Sequence, residues 1–160
     1  MPDIFTKAKR SDVMSRIRSR GNERTELALR RVFRAHGITG WRRHLEVRGE
    51  KVERRRKTAA RTSPLAPRTF RVRPDFVFPK LRLAVFVDGC FWHGCPLHET
   101  RPKNNAAFWR KKFVRNKARD RLVTRTLRQS GWRVLRIWEH ELARKREARL
   151  AARLRRTLGT

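Results

Sequence analysis

A chain of 160 residues has room for one domain with a real core, and its 38% hydrophobic content is enough for globular folding. Its 44 lysines and arginines face only 14 acids, which leaves a formal net charge of +30. That field draws in polyanions and repels itself, so the composition points to nucleic acid as partner, and no run approaches the ~20 apolar residues of a membrane span.

The blander account of the charge is a ribosomal-type basic protein, or arginine enrichment from a GC-rich genome. The opening residues Met1 to Phe5 lack an apolar signal region, which predicts a cytoplasmic protein associated with the bacterial nucleoid. In that compartment two cysteines bind metal or stay reduced rather than form a structural disulfide.

Residues 1–20 read as a basic arm, and Lys9, Arg10, Arg16 and Arg18 are its candidate phosphate contacts. The remainder, residues 21–160, reads as a single catalytic domain. A helix is expected from Asn22 as N-cap to Gly37 as stop. Glu26 precedes Leu29 and Phe33 by three and seven residues, so it shares their core-facing side in the first turn. A first-turn glutamate is also an ordinary partner of the helix dipole.

Residues 48–69 are basic and proline-containing and read as a long inserted loop. Residues 70–78 read as a strand, residues 79–82 as a turn, and residues 83–87 as a buried apolar strand; the pair predicts a hairpin whose ends carry Asp75 and Asp88. A long helix is expected from Asn104 or Asn105 to about Gln129, with Val114, Ala118 and Leu122 recurring every four residues. Residues 132–138 alternate as a strand in which Trp132 and Trp138 are core candidates, and an Arg/Ala/Leu-rich helix follows. This order predicts a mixed α/β domain with a central sheet.

Between Val87 and His98 the chain carries both of its cysteines, two of its five histidines, an acid and two adjacent aromatics. Phosphodiester cleavage calls for a divalent metal on acids, an activated water and charge stabilisation. Asp75 follows a proline that cannot donate to a ladder, which puts a carboxylate at a sheet edge; by itself the dipeptide is equally an ordinary turn. Cys90, Cys95, His98 and His140 suit a tetrahedral zinc, the alternative being two free buried thiols. Phe91 and Trp92, adjacent on what reads as an extended loop, are either core filler or exposed stacking surfaces.

Arg73-Pro74-Asp75, then residues 85–95 with their Asp-Gly-Cys-Phe-Trp-His-Gly-Cys run, Phe108-Trp109, Asn116 to Asp120 and Gly131 to Val134 resemble the very short patch repair (Vsr) DNA mismatch endonuclease family. The resemblance runs from about Arg10 to about Arg155 and is interrupted mainly at residues 48–69. It implies a restriction-endonuclease-like fold: α/β, with a central mixed sheet flanked by helices. It also implies Mg²⁺-dependent nicking of duplex DNA 5′ to the thymine of T·G mismatches left by 5-methylcytosine deamination, by a monomer working with mismatch-repair proteins.

Carried over by position, Asp75 resembles the Mg²⁺-binding aspartate, and the backbone carbonyl of Val87 the second ligand. His93 resembles the histidine that activates the attacking water or assists the leaving group. Glu26 resembles the acid that holds water at that metal. Cys90, Cys95, His98 and His140 resemble a structural Zn²⁺ set, with histidine at 140 where the family often has cysteine. Phe91, Trp92 and Trp109 resemble an intercalating wedge. The Asp/Glu-x-Lys tripeptide of the wider nuclease superfamily is absent, because Phe86-Val87-Asp88 stands there. Asp88 is open between an extra metal ligand and a strand terminator. The alternatives to this reading are a related restriction-type nuclease with another target, or a catalytically inactive zinc-containing DNA-binding protein.

Overall fold

The computed structural model describes residues 21–50, 69–98, 102 and 105–159. The basic arm, with Lys9, Arg10, Arg16 and Arg18, and the middle of the 48–69 segment lie outside the described residues. Three helices, α1 (Glu26–Ala35), α2 (Ala106–Gln129) and α3 (Glu147–Leu158), accompany six strands. The strands are β1 (Arg42–Arg43), β2 (Val47–Glu50), β3 (Thr69–Val72), β4 (Phe76–Phe78), β5 (Leu83–Asp88) and β6 (Arg133–Trp138). Strands β1, β4, β5 and β6 form one sheet in that order, and β2 pairs with β3 in a second. The β1–β4 and β4–β5 pairs are antiparallel, whereas β5 reaches β6 through α2, the long crossover that a parallel pair requires. The chain is therefore α/β with a mixed sheet, the restriction-endonuclease-like class that the resemblance implies. Among the described residues no helix is long and apolar enough to cross a membrane.

The chain divides into two compact units. The first holds the described residues of Met1–Thr39, Val87–Lys117 and Ile137–Thr160; the second holds Gly40–Phe86 and Ala118–Arg136.

In the first unit, α1 buries Leu29, Val32 and Phe33, the i, i+3, i+4 face of an amphipathic helix, and Glu26 shares that face at 3% exposure. The helix begins later than the sequence predicts. Asn22 does not cap it: its Oδ1 accepts the Arg24 N–H (2.9 Å) and its carbonyl accepts the Leu27 N–H (3.0 Å), closing a turn before Glu26. The predicted stop is observed. Gly37 has φ +64°, and the Gly37 and Ile38 amides donate to the Arg34 and Phe33 carbonyls, a Schellman closure that favours glycine. Helix α3 packs on α1, buries Leu150, Ala151 and Leu154, and is tied to it by His36 Nε2 and Glu147 Oε1 at 3.1 Å.

In the second unit, Val47, Phe70, Val77, Ala84 and Leu127 form a buried cluster, with Trp132 and Val134 packed against it. Trp132, just before β6, is thus a half-buried core residue, whereas Trp138, in the first unit, is half-buried at the wall of a cleft. Three expectations are corrected. The run 70–78 is not one strand: it breaks at Arg73 to Asp75 into β3 and β4, which belong to different sheets. Pro74 is fully buried and lacks an N–H, so the ladder cannot continue through it.

The 48–69 segment is not loop throughout, because its two ends pair antiparallel as β2 and β3, from Val47↔Val72 to Glu50↔Thr69. Finally, Val114, Ala118 and Leu122 do not mark the inner face of α2. All three are exposed, while Trp109, Phe113 and Leu127 are buried. Phe108 is exposed as well, so the inner face is the one that carries Trp109 and Phe113 and not every apolar residue of the helix.

Gly49 lies where β2 meets the side chain of Phe70. A Cβ there would come within 2.5 Å of the Phe70 ring and 2.9 Å of Ser130 Oγ. Gly49→Ala is expected to destabilise the protein by about 1–3 kcal/mol through overpacking, read as a lowered urea midpoint.

Candidate active site and metal centre

Strand β5 ends at Asp88, and residues 89–98 fold into consecutive tight turns rather than the extended loop expected. The His93 amide donates to the Gly89 carbonyl (3.1 Å), Cys95 to Cys90 (2.9 Å) and His98 to Cys95 (3.3 Å). Gly94, buried at φ +60°, makes the reversal between Cys90 and Cys95 possible.

This winding gathers the four sulfur and nitrogen donors. Cys90 Sγ lies 3.3 Å from His140 Nδ1, Cys95 Sγ lies 3.5 Å from the same nitrogen, and Cys95 Sγ lies 3.6 Å from His98 Nδ1. The donor atoms of Cys90, Cys95, His98 and His140 all fall within 4.8 Å of one another. Metal–ligand distances of tetrahedral N/S sites put donor atoms about 3.5 Å apart, so the set fits a tetrahedral divalent ion. His140 comes from the 3₁₀ turn after β6, and the preceding Glu139 accepts the Cys90 N–H at 3.1 Å, joining turn to loop a second time.

Burial pushes the Cys90 thiol up to about 11. Burial first, then the nearby His98 and Arg146, lowers His140, which keeps its imidazole neutral and able to ligate. Metal uptake therefore has to displace a thiol proton.

His93 stays outside this donor set. Its Nδ1 faces the Asp88 carboxylate at 3.6 Å, and Asp88 is 4% exposed. This contact is compatible with both roles open for Asp88, metal ligand and strand terminator, because its carboxylate and the His93 imidazole lie close enough to share an ion. Glu26 is buried, and its Oε2 accepts the Gly21 N–H at 2.7 Å, so part of its capacity satisfies backbone at the helix start. Val87, the proposed carbonyl ligand, is the penultimate residue of β5.

Asp75, in the second unit, immediately precedes β4; its carbonyl accepts the His44 N–H, and its side chain is partly exposed. Arg73 of the same triplet is held by Glu46, Nη2 to Oε2 at 3.1 Å. Hydrogen bonds from Arg48 and Arg73 hold the Glu46 carboxyl below its ordinary value.

Phe91 and Trp92 are both half-buried. Phe91 meets Trp92 and Trp109 edge-on at 5.0 Å each and Phe113 at 5.6 Å. Trp109 is the inner member, 8% exposed. Asn116 Nδ2 donates to the Trp92 carbonyl at 2.8 Å. Phe113, Glu139 and the Asp88–His93 contact are parts of the site that sequence reasoning missed, and Asn116 was noted there only as part of a motif, without a role. The four-residue spacing from Trp109 to Phe113 was the one available signal.

Comparison with known proteins agrees with this geometry. Residues 66–99 match the family described as DNA mismatch endonuclease Vsr. The type II nicking enzyme V.XorIIP of Xanthomonas oryzae pv. oryzae is 36% identical over 160 residues, covering 99% of this chain and 98% of the relative. The type II nicking enzyme V.NaeI of Lentzea aerocolonigenes is 54% identical over 71 residues, 44% of this chain and 43% of the relative. The DNA mismatch endonuclease Vsr of Escherichia coli is 44% identical over 69 residues, 42% of this chain and 44% of the relative.

An α/β chain with this sheet, this site and these relatives is a DNA endonuclease, a hydrolase of phosphodiester bonds. It belongs to the Vsr family.

Cys90→Ser is expected to lower bound metal and thermal stability together, measured by elemental analysis and a melting curve on the same sample. Full metal content with unchanged melting would refute the four-donor site.

Proposed function

We propose that this endonuclease nicks duplex DNA 5′ to the thymine of T·G mismatches that arise by 5-methylcytosine deamination, and so acts in DNA repair. What carries the reading is the division of labour on one loop. Four soft donors gather at a metal site, while His93, on the same turns, is held apart from them against the buried Asp88 carboxylate. The names of the relatives, a mismatch endonuclease and two nicking enzymes, support cleavage of one strand.

In this reading Zn²⁺ is structural and is held by Cys90, Cys95, His98 and His140, whose donor spacing fits it. The hard oxygens suited to Mg²⁺ are the Asp75 carboxylate and the Val87 carbonyl, and when bound the ion supplies charge neutralisation at the scissile phosphate. His93 moves the proton. Asp88 opposite Nδ1 favours the tautomer protonated there, which leaves Nε2 to take a proton from the attacking water or give one to the departing oxygen. Glu26 would help to hold water at that ion.

Phe91, Trp92 and Trp109 act as one wedge, with Trp109 the inner member beneath the other two. Opening a base step costs a few kcal/mol and least at a mismatch, so a rigid aromatic probe converts weak stacking into selectivity. Lys9, Arg10, Arg16 and Arg18 grip flanking phosphates without reading sequence.

Labelled duplexes with T·G, G·C or A·T at one position, incubated with Mg²⁺ at moderate salt, test the proposal. A single nick 5′ to the mismatched thymine is expected only in the T·G duplex. Cleavage of matched duplexes would favour a restriction-type target instead. Binding without cleavage, unchanged by Asp75→Ala, would leave an inactive DNA-binding protein. His93→Ala should slow the nick about 10²- to 10⁴-fold with mismatch binding retained, the range of a lost general acid–base. An unslowed variant would remove His93 from the mechanism.

A further inference from the structure

Beside the four-donor centre, in the same unit, α3 and the 3₁₀ turn after β6 border an open cleft of about 470 Å³ that shares only His140 with that centre. Arg146, Arg149, Arg153 and Arg156 line it, together with Trp138 and Leu97. At 100° per residue Arg149, Arg153 and Arg156 fall within an arc of about 60° on α3, and with Arg146 at its N-cap the four span about 15 Å at 1.5 Å per residue.

Their charge is barely compensated. Glu141 pairs with Arg153, and its other oxygen accepts the Trp138 N–H at 2.9 Å. Arg146, Arg149 and Arg156 have no carboxylate partner among the described residues, and Arg149 and Arg156 are exposed. Neighbouring cations in a row, in a wall with one acid already engaged, raise the local potential and leave unused guanidinium forks of the shape that phosphate accepts.

We propose that this arginine row is a second nucleic-acid grip, which takes the sugar–phosphate backbone of a DNA strand, with Arg153 fixed by Glu141 as its structural member. A line of charges about 15 Å long suits successive phosphates of a polymer better than one small anion, and Trp138 and Leu97 offer apolar surface to sugars. The proposal rests on the chain's being a DNA endonuclease and is independent of mismatch selectivity and of cleavage.

The test is equilibrium binding of the full chain to a fully matched duplex, without added divalent ion, across a salt series. Arg149→Ala/Arg156→Ala should flatten the slope of log K against log salt by about 1.8, two phosphates at about 0.9 each, and weaken low-salt binding about tenfold. Arg149→Lys/Arg156→Lys should restore most of the slope. Arg34→Ala/Arg42→Ala, which removes two exposed arginines elsewhere, should change it far less.

Melting curves establish that each variant is folded. If the double variant is not, Arg156→Ala alone should shift the slope by about 0.9. An unchanged slope, or an equal loss in the Arg34/Arg42 pair, overturns the proposal. So does tight binding of inorganic phosphate or a mononucleotide that is lost in Arg149→Ala/Arg156→Ala while the duplex slope is not. Because matched DNA is the probe and no cleavage is read, failure of the T·G reading would leave this result intact.

Discussion

The first unit depends on the convergence of four soft donors between a turn-rich loop and the 3₁₀ turn after β6. In residues 89–98 the apolar anchors are Phe91 and Trp92, half-buried against Trp109 and Phe113, and the fully buried Cys95, while Pro96, Leu97 and His98 are exposed and add nothing. What else orders the loop is the Cys90–His140 and Cys95–His98 proximity, the Cys90 amide on Glu139, and three backbone turns. Small loops that cannot bury enough surface use cross-links of this kind, and a metal there adds its binding free energy to folding.

That anchoring serves the two groups proposed to act on DNA. His93 sits between Cys90 and Cys95, so its backbone is pinned from both sides, and its Nδ1 faces the Asp88 carboxylate at 3.6 Å. Phe91 and Trp92 emerge from the same turn and are braced from behind by Trp109 and Phe113 on α2. A probe that must force a base step apart needs such a rigid support, because a loose side chain would give way before the stack does.

Charge has a less even role than the composition implies. Among the described residues many cations are exposed, but selected arginines are structural: Arg73 and Arg48 on Glu46, Arg136 on Asp120, and Arg153 on Glu141. With few acids among so many cations, each carboxylate acts as a local organiser. Arg149 and Arg156 on α3, exposed and without a carboxylate partner among the described residues, are the members of the row proposed to take phosphate.

Residue pattern alone located α1 and its inward Glu26, the stop at Gly37, β5, the span of α2, β6 and the four donors at 90, 95, 98 and 140. These are legible because apolar periodicity, glycine at a left-handed position and soft ligands are properties of residue type and spacing. Other features were decided by contacts between segments distant in the chain. Pro74 ends one ladder and begins another only because β2 and β1 wait as separate partners. The inner face of α2 is chosen by Phe91, which its aromatics meet, and not by the Val114–Ala118–Leu122 repeat. Asp88 faces His93 because the turns carry the imidazole back over it. The sequence determined which chemical groups this protein has and which elements bear them; the tertiary structure decided which of those groups meet, since proximity across tens of residues is set by packing and not by local preference.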